Sequence, residues 1–443
     1  MNALHPFDPT RWPERLPSRY WLANVRVPAR LLESTSPTSA APPVALLIDL
    51  GRIASIALRP EGGAPVFDLQ QATVFPAFVD PHTHLDKGDL LAVGAPVQRN
   101  LFAAIDAVRA DYVKWTRHEL VARIGFGLRT AYAHGTRALN SYCDWSEPDG
   151  PLAWQVLQEQ RGQWLGRVDL VLTSLAAIDV LADEAQAEAL GRAVARARGV
   201  LGFFVYPAPH VAALLPRAFD LAERFDLRLD FHIDEHLSPV IANLPAVARL
   251  ARERGWGART VCGHACVLSL LPAAECDATL DAVAASGLSL VSLPYTNLHL
   301  QDSAQQAPLR TPRLRGLTTV HEARNRGVPL AFGSDNHRDG FFPAGDLDPL
   351  QTLALAALAA QLDNAALHWA DTITRTGAEL LGLAWDGVLR AGAPADLVIH
   401  PGRNSAEVLS RVASGRHVLR AGQRLTGAAA RPPEFSELDG LRR

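Results

Sequence analysis

Val74-Phe-Pro-Ala-Phe-Val79-Asp80-Pro-His82-Thr-His84-Leu-Asp86-Lys87 joins a short apolar run, residues 74–79, directly to a cluster of carboxylates and imidazoles. A run of this length reads as a buried strand. In an extended segment, side chains two residues apart share a side. His82 and His84 therefore aim at one point, and two imidazoles on one side make half of a metal site. A lone His-x-His is a weak motif, so its weight depends on what stands at equivalent places elsewhere.

Seven further runs follow, at residues 138–140, 168–173, 201–206, 227–231, 260–262, 288–293 and 328–332. The stretches between them, such as 184–197, 214–224 and 279–285, carry helix formers with apolar residues every three or four positions. Alternating βα units imply a parallel sheet, and eight of them imply a closed (β/α)₈ TIM barrel, an α/β fold. Active residues of such barrels sit just beyond the C-terminal strand ends. Those places hold His232-Ile-Asp234-Glu235-His236 after the fifth run, Gly263-His264 after the sixth and Gly333-Ser-Asp335-Asn336 after the eighth. Taken singly, each is an ordinary polar residue in a loop. Taken together they converge on one axis, and that joint placement is the signal.

Neutral imidazoles with a carboxylate suit one divalent ion, Zn²⁺ or Fe²⁺, held by His82, His84, His232 and Asp335. Such an ion lowers the pKa of a bound water to roughly 7. Asp335 is placed to take that water's proton. Glu235, three residues past His232, is placed as a general acid. His264 is placed to hydrogen-bond the hydroxide or a developing oxyanion.

The chain ends have a different texture. Short apolar runs between residues 20 and 69, separated by Pro, Ser and Gly, read as strands, as do 395–400 and 415–420. The expected organisation is an arm over 1–16, a small β-sandwich domain from 17–72 with 386–430, and the barrel over 73–385. The chain has 443 residues, 48% hydrophobic and 20% charged, enough for a large core. A net charge of −3 argues against a nucleic acid or an anionic membrane as partner. The four cysteines form no CxxC pair, and the first residues show no apolar leader. No run approaches the roughly 18 apolar residues of a membrane span. A cytoplasmic protein with reduced thiols is expected, and a second copy of the chain remains an allowed partner.

These residues together resemble the amidohydrolase superfamily and, within it, the cytosine deaminase group. The matching segments lie at 76–88, 230–236, 257–269, 291–301, 315–336 and 391–399; the His-x-Asp-Glu segment and Asn297-Leu-His-Leu-Gln301 are the most group-specific. The resemblance implies the same four metal ligands, Glu235 as the acid/base at a ring nitrogen, and His264 as the histidine that orients the hydroxide. It also implies a mononuclear site, because the fourth strand offers no lysine to bridge two metals. Three wall positions depart from the group. Ala177 stands where a glutamine reads the pyrimidine edge, Asn336 follows the metal aspartate in place of a second Asp, and Phe341 replaces a stacking tryptophan. A pocket built to hydrogen-bond a group rejects analogues lacking it, so a substrate other than cytosine is expected.

The implied function is hydrolytic deamination of a small N-heterocycle, a modified pyrimidine, triazine or cyclic amidine. Two alternatives stand beside it: hydrolysis of a cyclic amide or N-alkyl aminotriazine at the same site, and a barrel that binds without turnover. Tyr206, Asn336, His337 and Phe341 are candidates for the pocket wall. Lys87 is a candidate for either substrate contact or a salt bridge to Asp86 or Asp144, and Cys143 and Asp144 follow the second run. His134, His210, His321 and His368 read as surface or capping residues. Trp115, Trp145 and Trp154 read as core or rim, and the helix near 353–360 as barrel packing.

Overall fold

The computed structural model describes residues 12–33, 42–240, 242–303 and 309–442. Most of the expected arm lies outside the described residues. Eight strands form one sheet: β1 Phe78–Thr83, β2 Thr136–Asp144, β3 Asp169–Ala177, β4 Leu201–Val205, β5 Leu229–Ile233, β6 Thr260–His264, β7 Ser289–Ser292 and β8 Leu330–Phe332. They are neighbours in chain order, and the pairs from β2 to β8 are parallel. A parallel bridge between Thr83 and Asp335 brings the chain after β8 back to β1. Asp335 N donates to His82 O there at 2.8 Å, and the sheet becomes a barrel. Every residue of β1, β5 and β6 is buried, as expected of parallel strands covered on both faces.

The helices obey the same economy. Leu215–Phe225 buries Leu215, Ala218, Phe219, Leu221 and Ala222, and Leu244–Glu253 buries Leu244, Val247, Ala248, Leu250 and Ala251. These are steps of three and four, which line one face of a helix.

Three expectations need correction. The run 74–79 is not one strand. Thr73–Pro76 pairs antiparallel with Leu397–His400, and β1 starts at Phe78. Pro76 has no N–H to continue a ladder, and Ala77 N donates to Asp396 O at 2.8 Å, so the chain changes sheets there. The runs at 227–231 and 260–262 also end early. Their strands extend to Ile233 and His264, so His232 and His264 lie within strands and not after them. Lastly, His134 is buried, with Nδ1 3.1 Å from Arg416 Nη2 and 3.9 Å from Asp348 Oδ2. His210, His321 and His368 are exposed.

The chain divides into two compact units, 1–79 with 129–137 and 348–433, and 80–128 with 138–347 and 434–443. The first holds two four-stranded sheets. One core draws on both ends of the chain, with Tyr20, Leu22, Leu46 and Ile48 beside Leu397, Ile399 and Leu419. The helix Pro349–Ala359 buries Leu350, Leu353 and Ala356 within that unit. Among the described residues, no helix is long and apolar enough to cross a membrane.

Candidate active site

His82 and His84 sit at the end of β1, His232 in β5, and Asp335 on the closing bridge. Their side chains meet. His232 Nε2 lies 3.1 Å from His82 Nε2 and 3.4 Å from His84 Nε2. Asp335 Oδ1 lies 3.1 Å from His84 Nε2 and 3.5 Å from His82 Nε2. All four residues are buried. Burial holds the three imidazoles well below the usual histidine pKa, so they are neutral and carry free lone pairs.

The backbone is shaped for this convergence. Gly263 lies against the His82 ring and Gly333 against its Cβ. A Cβ at Gly263 would lie 3.1 Å from His82 Cε1, and one at Gly333 2.8 Å from His82 Cβ. His264 and Asp335 both adopt left-handed backbone, with φ of 71° and 62°. Non-glycine residues hold this conformation only where the surroundings impose it, and such strain collects at functional sites. Asp80 accepts the Ser334 N–H at 3.1 Å, tying the strand before His82 to the loop before Asp335.

A metal fits this set. Both carboxylate oxygens of Asp335 are buried without a hydrogen-bond partner, as are His264 Nε2 and His82 Nδ1. An orphaned buried polar atom costs about 1–3 kcal/mol, and an unpaired buried carboxylate more. Three neutral imidazoles and a carboxylate are the donors a tetrahedral or five-coordinate divalent ion takes.

Glu235 and His264 stand beside the cluster, with Glu235 Oε1 3.5 Å from His264 Nδ1. Burial, with the Asp335 charge second, holds the Glu235 carboxyl well above the usual carboxylate range. His264 is pushed down to about 4 by burial. Asn297 Nδ2 lies 3.0 Å from His264 Nδ1. With the amide nitrogen donating, Nδ1 accepts and the imidazole proton sits on Nε2, the nitrogen without a protein partner. Asp234, the other carboxylate of the segment, serves the scaffold: its oxygens accept Asn243 N at 2.8 Å and Leu244 N at 3.0 Å, at the start of the next helix.

A cavity of about 320 Å³ opens from this cluster. Lys87, Ala177, Asn336 and Phe341 line it, and so does Asp144. Tyr206 does not. Its hydroxyl donates to Asp179 Oδ2 at 2.8 Å and lies 3.2 Å from His210 Nε2. The strand ends at Val205, so Phe204, two residues earlier, takes the wall position instead. Lys87 pairs with Asp144 at 2.8 Å and lies 4.6 Å over the Phe341 ring. Burial alone would depress its pKa, but the Asp144 and Asp86 carboxylates outweigh burial and keep it charged. Cys143 is buried and does not line the cavity; His337 is buried 3.5 Å from Asp89.

Sequence reasoning did not place Leu101, Ile105, Arg109 or Tyr112 on this wall, and it read Trp145 as core or rim. Trp145 directly follows β2, where the strand-end rule would have found it. The other four belong to or follow the helix Leu101–Asp111, capped by Asn100 Oδ1 accepting Ala103 N. Their spacing of four, 101, 105 and 109, was the available signal.

Three buried imidazoles and a carboxylate at the C-terminal strand ends of a closed βα barrel define a metal-dependent hydrolase. The chain belongs to the amidohydrolase family, whose model matches residues 101–425. It is 35% identical to a pterin deaminase of Rhizobium rhizogenes over 95% of this chain and 96% of that one. It is similar in structure to 5-methylcytosine deaminase from Klebsiella pneumoniae, with a TM-score of 0.78, 24% identity and coverage of 92% and 97%. It is also similar to N-isopropylammelide isopropylaminohydrolase from Burkholderia multivorans, with a TM-score of 0.73, 24% identity and coverage of 94% and 100%.

Proposed function

We propose that this amidohydrolase is a hydrolytic deaminase whose substrate is a pterin or a closely similar amino-substituted N-heterocycle, converting the ring amidine and water to a lactam and ammonia. The observation that carries the reading is the pairing of a buried Glu235 with the His82, His84, His232 and Asp335 cluster at the floor of one cavity. The relative at 35% identity acts, by its name, on pterin. The wall supports a flat fused ring: Trp145, Phe204 and Phe341 offer aromatic faces, and Ala177 leaves room where a longer side chain would intrude.

His82, His84, His232 and Asp335 would hold one divalent ion per chain, Zn²⁺ or Fe²⁺. When bound, the ion supplies Lewis acidity and lowers the pKa of a coordinated water to roughly 7. Glu235, whose burial favours its protonated form, gives a proton to the ring nitrogen beside the attacked carbon. Asp335 accepts the proton that water must lose and passes it to the exocyclic amino group, whose bond to the ring carbon then breaks to release ammonia. His264 points its Nε2–H at the oxygen joining that carbon, and Asn297 fixes the tautomer. The aromatic wall holds the ring plane and excludes water. The four cysteines are unpaired and buried, which supports a reducing, cytoplasmic setting.

The test is ammonia release by metal-loaded enzyme over pterin, 5-methylcytosine, cytosine, isoguanine, aminotriazines and creatinine. Release from pterin with kcat/KM well above the others is expected. Alkylamine release from an N-alkyl aminotriazine, with no ammonia from any ring, would replace deamination with N-dealkylation, the reaction named for the Burkholderia structure.

A further inference from the structure

The last described residue, Arg442, forms a double fork. Its Nε and Nη2 donate to Glu119 Oε2 and Oε1 at 2.7 and 2.8 Å. Its Nη1 and Nη2 donate to Asp111 Oδ1 and Oδ2 at 2.9 and 2.6 Å. Both acceptors are shielded, with Glu119 fully buried and the Asp111 side chain 8% exposed. Two-pronged arginine–carboxylate pairs fix geometry as well as adding energy.

Each acceptor leads to the cavity. Asp111 ends the helix whose Leu101, Ile105 and Arg109 line it, and it also accepts the Trp115 indole N–H at 3.0 Å. Glu119 accepts from buried Arg123 Nε at 3.0 Å. Arg123 Nη1 in turn donates to Asp86 O and Gly88 O at 2.8 Å, the carbonyls on either side of Lys87. A second anchor lies earlier in the tail. Phe435 stacks on Phe126 at 5.9 Å, and Arg338 lies 5.0 Å over the Phe435 ring while holding Asp89 at 2.5 Å. Arg338 follows Asn336 and precedes Phe341, both on the wall. The tail therefore touches the supports of three wall pieces and none of the reacting groups.

We propose that residues 434–442 act as a strap that sets the substrate wall, with Arg442 as its positioning residue. The strap holds the helix Leu101–Asp111 and the Lys87 loop at the separation a ring substrate requires, and leaves the metal cluster to the strands. The KM part rests on the deaminase reading; the strap itself does not.

The experiment compares wild type, Arg442→Gln and Arg442→Lys as metal-loaded full-length enzymes. Amide hydrogen exchange needs no substrate. In Arg442→Gln, exchange across 101–111 and 86–89 should speed up about tenfold or more, as local opening becomes easier, with β5 and β6 unchanged and metal content equal to wild type. With the substrate that the panel identifies, KM should rise about tenfold while kcat moves about twofold or less, the signature of a misplaced wall. Arg442→Lys keeps the charge without the fork, and should recover part of both effects. Unchanged exchange in a folded Arg442→Gln protein overturns the strap. Faster exchange with unchanged KM overturns its link to the substrate wall. If the Gln variant fails to fold, the Lys variant decides by the same two readings. A wild type silent on every substrate would sink the deaminase reading while the exchange data still judge the strap.

Discussion

Two corners of one cavity are built on opposite terms. At the floor, His82, His84, His232 and Asp335 crowd together, with Asp335's oxygens unanswered by any hydrogen-bond donor among the described residues. On the side, Lys87 and Asp144 answer each other, Tyr112 donates to Asp144 at 2.5 Å, and Asp86 accepts the Asp144 N–H at 2.9 Å. The first corner is complete only with something from outside; the second is complete alone. A polar cluster that satisfies itself is architecture with a face toward the substrate, whereas one that cannot is a binding site.

The comparison breaks most visibly at the floor. His232→Ala should lose the metal and reduce turnover by about four orders of magnitude or more, read by elemental analysis alongside ammonia release; retained metal would remove His232 from the ligand set. Glu235→Gln should lower turnover by about 10²–10⁴-fold and keep the metal. Loss of metal in that variant would make Glu235 a ligand instead of an acid.

The self-sufficient corner answers to stability. Lys87→Met strands the Asp144 charge and should cost about 3–5 kcal/mol, seen as a lower Tm. Burial opposes the Asp144 charge, but Lys87 and its other partners hold the Asp144 pKa below the usual range. A depressed carboxylate stabilises the fold above its ordinary pKa and loses that contribution as pH falls. The Tm gap between wild type and Lys87→Met should therefore be full at pH 7 and narrow below about pH 4. A gap independent of pH would mean that packing, and not charge, carries the effect. The smallest change belongs to Tyr206→Phe. Its hydroxyl faces Asp179 and His210 outside the cavity, so KM should move less than about twofold and stability by about 1 kcal/mol or less.

The same contrast explains what was legible in the sequence. The proposed metal ligands and His264 stand at or just past the last residues of short apolar runs, and a run stopping at a polar residue is visible in a sequence, so His82, His84, His232, His264 and Asp335 announce themselves. The wall answers to no such rule. Leu101, Ile105 and Arg109 come from a helix whose spacing of four looks like ordinary packing, and part of that helix does pack, with Ala104 and Val108 against Leu90, Leu300 and Phe341. Tyr206 and Phe204 have the same spacing from opposite sides of a strand end, and only the turn after Val205 separates them. Pro76 divided one apparent strand into two because a missing N–H is invisible to an apolar count. Arg442, far in sequence from Asp111 and Glu119, had no local signature.

The barrel is buckled where its chemistry lies. The bridge from Thr83 to Asp335 joins the first strand to the chain after the last, and the residues proposed to share one ion, His82 and His84 on one side and Asp335 on the other, stand on its two sides. As the polypeptide leaves the ribosome, it can offer only the paired histidines of β1, then a third from β5, and the carboxylate arrives with the final turn of the cylinder. Full-strength capture of the ion is thus a report that the belt has closed. On the proposed ligand set, a chelator would do more than idle the enzyme, since it would remove a second tie beside the Asp335 N–His82 O hydrogen bond that joins the two ends of the barrel.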